Sequence, residues 1–143
     1  MSKAIGMVEY KTVSSGITAA DTMVKTSSVE VVSAATVCPG KYIVLITGEL
    51  SAVRASIDAA VKQCPDMLTD SFVLGNPHED IFKAMYGGAP VENAKALGVL
   101  ETFSAPSIIV AADSAAKASE VQLVELRIAR GMCGKSYMLL TGT

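Results

Sequence analysis

The 143-residue chain is half hydrophobic, carries few aromatic residues and no Trp, and has a net charge of −2, which is enough sequence for one ordinary domain or two small ones. A near-neutral chain without a basic stripe is not built to bind nucleic acid, and no apolar run reaches the ~18–20 residues that span a bilayer, so no membrane partner is expected. The Met-Ser-Lys start reads as cytosolic, with no signal peptide expected, and the odd count of three cysteines then reads as thiols rather than a disulfide framework. So apolar and weakly charged a chain is expected to cover surface in an oligomer.

Along the chain, residues 5–9 read as a buried strand. Ile17, Ala20, Val24 and Ser27 share one face at helical spacing, so residues 16–27 are expected to form an amphipathic helix. Residues 29–37 are rich in β-branched side chains, Pro39-Gly40 is a turn signal, and residues 42–46 form a continuous apolar strand. This places Cys38 at the bend of a β-hairpin. Val53, Ile57, Ala60, Val61 and Cys64 mark a second helix, which Pro65 ends. Residues 71–74 read as a last strand and 81–85 as a short helix. Tyr86-Gly87-Gly88-Ala89-Pro90 reads as the start of a linker. The order β-α-β-β-α-β is a split βαβ arrangement of the α/β class, that is, an α+β, ferredoxin-like fold.

The chain then nearly repeats itself. Ala4-Ile5-Gly6-Met7-Val8-Glu9 returns as Ala96-Leu97-Gly98-Val99-Leu100-Glu101, and Ala19-Ala20-Asp21 followed by Lys25 returns as Ala111-Ala112-Asp113 followed by Lys117. Gly40-Lys41 and Thr47-Gly48 return as Gly134-Lys135 and Thr141-Gly142. A period of about 92 residues is too long for a solenoid, so it reads as two domains of one fold. We expect a first domain over residues 1–86, a linker over 87–94 and a second domain over 95–143. In the second copy, strands are expected at 97–101, 121–128 and 137–140, a helix at 107–119 and a turn at 131–134. Counterparts of residues 50–85 are missing, so the second sheet is expected to expose a pairing edge. This reads as a shortened chain, or as one whose missing half another polypeptide supplies. The copies differ most at the turn before Gly-Lys, Cys38-Pro39 in one and Met132-Cys133 in the other, which points to that loop as the seat of function.

The element order, together with Ala-Ile-Gly-x-Val-Glu, Ala-Ala-Asp-x-x-x-Lys, the Gly-Lys after the hairpin and Asn76-Pro77-His78 after the last strand, resembles the bacterial microcompartment shell domain. The duplication resembles the tandem shell proteins in which three two-domain chains imitate a six-fold disc. The turn Val37-Cys38-Pro39-Gly40-Lys41 is similar to that of the T-type branch found in propanediol-utilisation shells. That resemblance implies a homotrimer among neighbouring shell proteins. It also implies a [4Fe-4S] cluster held at the central pore by one Cys38 from each chain, carrying electrons or clusters across the shell of a bacterial microcompartment in the cytoplasm. A lumenal or cytosolic redox enzyme would be the further partner. It further implies that Lys25 and Lys117 lie on the disc edge, packed against their twins in neighbouring discs; a solvated helix lysine is the alternative. The T-type branch usually carries Gly-Gly where this chain has Cys133-Gly134.

Read residue by residue, an iron–sulfur cluster requires several converging thiolates. A three-fold axis can gather Cys38 from equivalent loops, while a single chain leaves Cys64 on a helix face and Cys133 in the other copy. Pro39 and Gly40 would tighten the turn. A plain buried thiol at a turn is the competing reading of Cys38. Met132, Cys133 and Gly134 form the second pore loop, where Cys133 either lines the pore or is an ordinary loop thiol. Cys64 and His78 read as structural. Gly134-Lys135-Ser136 is not a phosphate loop, because that pattern needs Gly where Ala129 stands and a helix afterwards. No Ser-His-Asp or Cys-His constellation is evident, so no catalytic residue is assigned and an enzyme is not expected. Two further readings stand beside the cluster-bearing tile: a purely structural tile or metabolite pore, and a small ferredoxin-like enzyme, which the missing acid–base set argues against.

Overall fold

A computed structural model describes residues 3–143. The chain divides into two compact units, the first closing at Pro77 and the second running from His78 to Thr143. In the first unit, strand β1 (Ala4–Tyr10), helix α1 (Val13–Thr26), strands β2 (Glu30–Val37) and β3 (Lys41–Gly48), helix α2 (Leu50–Gln63) and strand β4 (Leu68–Leu74) follow in order, with a short 3-10 turn, Pro65–Met67, before β4. The sheet order is β2-β3-β1-β4, and each neighbouring pair is antiparallel. β1 and β2 therefore run parallel with β3 between them, which is the expected split βαβ arrangement.

The alternation of β1 sorts its side chains onto two faces. Ala4, Val8 and Tyr10 join Val44 and Ile46 of β3 in a core with Ala19 and Met23 of α1 and Val53, Ile57 and Ala60 of α2, all buried. Gly6 belongs to this helix-facing set, and an added Cβ there would sit 2.8 Å from Ile57 Cγ1 and 2.9 Å from Val53 Cγ1. The glycine thus sets how closely α2 approaches β1. The helix starts lie earlier than periodicity indicates. Thr12 caps α1, its hydroxyl accepting from the Ser15 amide at 3.3 Å, so the polar first turn belongs to the helix although it adds no apolar stripe.

The second unit contains α3 (Asp80–Met85), β5 (Ala96–Thr102), α4 (Ala105–Ala118), β6 (Gln122–Arg127) and β7 (Ser136–Gly142). Its sheet order, β5-β7-β6, matches β1-β3-β2 of the first unit. The copies agree in detail. Ser104 caps α4 through the Ser107 amide at 3.3 Å, as Thr12 caps α1. Thr141 donates to the Ala96 carbonyl at 2.7 Å as Thr47 does to Ala4 at 2.9 Å. The register shifts between Val31 and Ser33 in one hairpin and between Leu123 and Glu125 in the other.

One expectation is corrected. The short helix assigned to the end of a first domain at residue 86 packs instead on β6 and α4. Ile81 and Ala84 are buried on its inner side, and Asp113 of α4 accepts the His78 amide at 2.8 Å, so the compact boundary falls at residue 77. The expected open edge is present: among the described residues β5 pairs only with β7. No helix among them is long and apolar enough to cross a membrane.

Candidate pore loops and edge lysines

The turn between β2 and β3 is short because Val37 pairs with Lys41 in the ladder, leaving Cys38, Pro39 and Gly40 as its loop. The Cys38–Pro39 peptide is cis, and Gly40 has φ +65°. Nothing lies within 4 Å of a Cβ built on Gly40, so glycine is favoured there by its left-handed backbone rather than by space. Cys38 is exposed at this tip in the single chain.

The corresponding loop between β6 and β7 is longer and built differently. Ala129, Gly131, Cys133 and Gly134 all have positive φ, at 49°, 68°, 52° and 90°. The Lys135 amide closes a turn onto the Met132 carbonyl at 3.2 Å, and the Ser136 hydroxyl accepts the Ala129 amide at 3.0 Å. Cys133 is exposed. Cys64 differs from both: it follows α2, is half-buried against the core, and its Sγ lies 3.7 Å from Ser15 Oγ. Among the described residues no three His, Cys, Asp or Glu side chains converge within one chain.

His78 is placed by local bonds. Its Nδ1 accepts the Asp80 amide at 3.2 Å and lies 3.8 Å from the Asp80 carboxylate. Lys25 and Lys117 end their helices, where positive charge meets the carbonyl end of the helix dipole. Each is oriented from one turn earlier, Lys25 by Asp21 at 2.7 Å and Lys117 by Asp113 at 2.8 Å. Sequence reasoning left Asp21 and Asp113 without a role, although their i,i+4 spacing to lysine carried the signal. It also left out Phe103, an exposed ring lying 5.5 Å from Lys135 Nζ.

The BMC domain matches residues 4–77 and again 96–143. The chain belongs to the BMC domain family, twice over. It is 39% identical over 142 residues to the bacterial microcompartment shell protein PduT of Citrobacter freundii, covering 99% of this chain and 77% of that protein. The bacterial microcompartment shell protein PduA of the same organism is 33% identical over 88 residues, which is 60% of this chain and 95% of PduA. Among solved structures, a microcompartment protein from Desulfitobacterium hafniense superposes with a TM-score of 0.84 at 46% identity, over 99% of this chain and 79% of the other. The protein is thus a bacterial microcompartment shell protein similar to PduT, and the resemblance read from its motifs is correct.

Proposed function

We propose that this shell protein forms a pseudohexameric homotrimer whose three copies of Cys38 hold a [4Fe-4S] cluster at the central pore, for electron or cluster transfer across the shell. The observation that carries the reading is Cys38 itself, an exposed free thiol at the tip of a three-residue turn. An exposed thiol on a short turn is available to a symmetry axis. Among the described residues no group of three or more His, Cys, Asp or Glu gathers, and three-fold symmetry is an economical way to bring thiolates together. Cys64, packed beside Ser15, is poorly placed for such a role. Cys133 lies in the other unit's loop and is assigned to the pore rim.

A bound cluster supplies a one-electron carrier whose potential depends on its ligands, hydrogen bonds and exposure. The chain's own part is to present the thiolate, to hold the turn, and to close the disc by trimerisation. Three cysteines leave one corner for solvent or a small molecule. Neighbouring shell proteins are the lateral partners, met through Lys25 and Lys117, and a redox enzyme on one side of the shell is the electron partner.

Anaerobic reconstitution tests this directly. The wild type should take up about four irons per trimer with visible absorbance, and Cys38→Ser should take up none while keeping its secondary structure. Cys64→Ala should retain the cluster. Loss of the cluster in Cys133→Ser with retention in Cys38→Ser would move the site to the other loop, and a colourless wild type would leave a structural tile or metabolite pore.

A further inference from the structure

The repeat preserves two charged residues that the pore reading does not use: the glutamate closing the first-strand motif, Glu9 and Glu101, and the lysine after the turn, Lys41 and Lys135. The fold brings each pair together. Lys41 Nζ lies 3.8 Å from Glu9 Oε2, and Lys135 Nζ lies 3.5 Å from Glu101 Oε2. Their surroundings differ. Glu9 is fully buried and the Lys41 side chain is 20% exposed, whereas Glu101 and Lys135 are 56% and 48% exposed. An ion pair shielded from water is screened less than one exposed to it, so the Glu9–Lys41 pair couples its strands more strongly than the Glu101–Lys135 pair does.

Lys41 is also the residue whose backbone pairs with Val37 and closes the Cys38 turn. Its side chain therefore ties the outer end of β3 to the buried carboxylate on β1, the strand beside it in the sheet. We infer that the Glu9–Lys41 pair is the device that positions the Cys38 turn, while the solvated Glu101–Lys135 pair leaves the Cys133 turn less constrained. This rests on the reading that Cys38 is the working thiol, and it gives a reason why one loop and not its repeat would hold a cluster. Glu9 and Lys41 are positioning residues; neither is assigned as a ligand.

Amide hydrogen exchange across residues 38–42 of the full chain, followed by mass spectrometry, tests the inference without any cluster. Glu9→Gln and Lys41→Met should each speed exchange in that segment at least tenfold relative to the rest of the sheet. Lys41→Arg, which keeps the charge, should stay within twofold of wild type. Glu101→Gln should leave residues 38–42 unchanged. Should Glu9→Gln fail to fold, Lys41→Met decides, since that side chain reaches the surface. An unchanged turn in Lys41→Met, an acceleration spread evenly over the first sheet, or no rescue by Lys41→Arg overturns the proposal. Iron content is measured in parallel, and both destabilising variants should lose at least half of it. A wild type that takes up no iron sinks the cluster reading alone, and the exchange rates still decide this one.

Discussion

At the scale of single residues, two contacts set how tightly the first unit is built. Gly16 lies where α1 crosses β3, and an added Cβ would sit 2.4 Å from Tyr42 Cδ1 and 2.5 Å from Tyr42 Cβ. The Cβ of Tyr42 cannot swing away without moving its strand. Gly16→Ala gains up to about 1 kcal/mol of helix propensity but faces an overpacking cost of about 1–3 kcal/mol. The net effect should be destabilising, read as a lower urea midpoint at unchanged slope. Tyr10 is the second case. Its hydroxyl donates to the Ala60 carbonyl at 2.7 Å inside the core, and burial, followed by the nearby Cys64, pushes its pKa from 10.0 up to about 12. The folded state therefore holds this proton more tightly than the unfolded state does. Its contribution is complete below pH 10 and is lost as pH rises from 10 through about 12. Tyr10→Phe should cost about 1 kcal/mol at neutral pH, from the lost hydrogen bond, and should flatten the fall in stability across that alkaline window. An equal fall in both proteins would show that other groups govern it.

At the scale of elements, β1 and β5 carry nearly the same sequence yet meet different surroundings. Val8 is fully buried beneath the helices, while its repeat Leu100 is 45% exposed; Leu97 and Val99, on the other face of β5, are 71% and 54% exposed. Val91, Leu97, Val124 and Leu139 line an open apolar groove beside that strand. An apolar strand with one free edge is a template for pairing with another chain. Val99→Lys in this 143-residue chain should weaken self-association by about tenfold or more, a step of 1.4 kcal/mol, in sedimentation or light scattering. Association unchanged by the substitution would place the contact elsewhere. Much of this was legible beforehand, because strand alternation, the Pro39-Gly40 turn and the duplicated motifs are short-range signals. Three features were not. The first turn of α1 is mostly polar and announces itself through the cap at Thr12, and α4 starts two residues before its expected bound, at the Ser104 cap followed by Pro106. The attachment of α3 to the second unit rests on its packing against β6 and α4, and on Asp113 accepting the His78 amide from 35 positions away. The pairing of Glu9 with Lys41 requires knowing which strands are neighbours, and the repeat names the residues without bringing them together.

At the scale of the whole molecule, duplication places one lysine at the end of each long helix of the repeat, and each is aimed by an aspartate one turn back. The exposed Lys25–Asp21 pair contributes only about 0.3–0.5 kcal/mol to folding, so removing Lys25 should barely touch stability; Lys117 faces the nearly buried Asp113, and its removal should cost more. In a sheet of the proposed trimeric discs the loss would be multiplied, because each disc would bring three copies of both lysines. The two sites call for different substitutions. Asp21 is exposed, so Lys25→Asp adds a like charge where water screens it. Asp113 is nearly buried and also accepts the His78 amide, so an acid at position 117 would disturb α3 as well; Lys117→Gln removes the charge without that repulsion. The double variant should show unchanged oligomer mass by native mass spectrometry and a thermal midpoint lowered mainly by the Lys117 change, as the Lys117→Gln single variant will show, but no ordered sheets by negative-stain electron microscopy. Ordered sheets with unchanged lattice spacing in the double variant would show that lateral contacts are made elsewhere on the disc, and Lys25 and Lys117 would then be solvated helix residues.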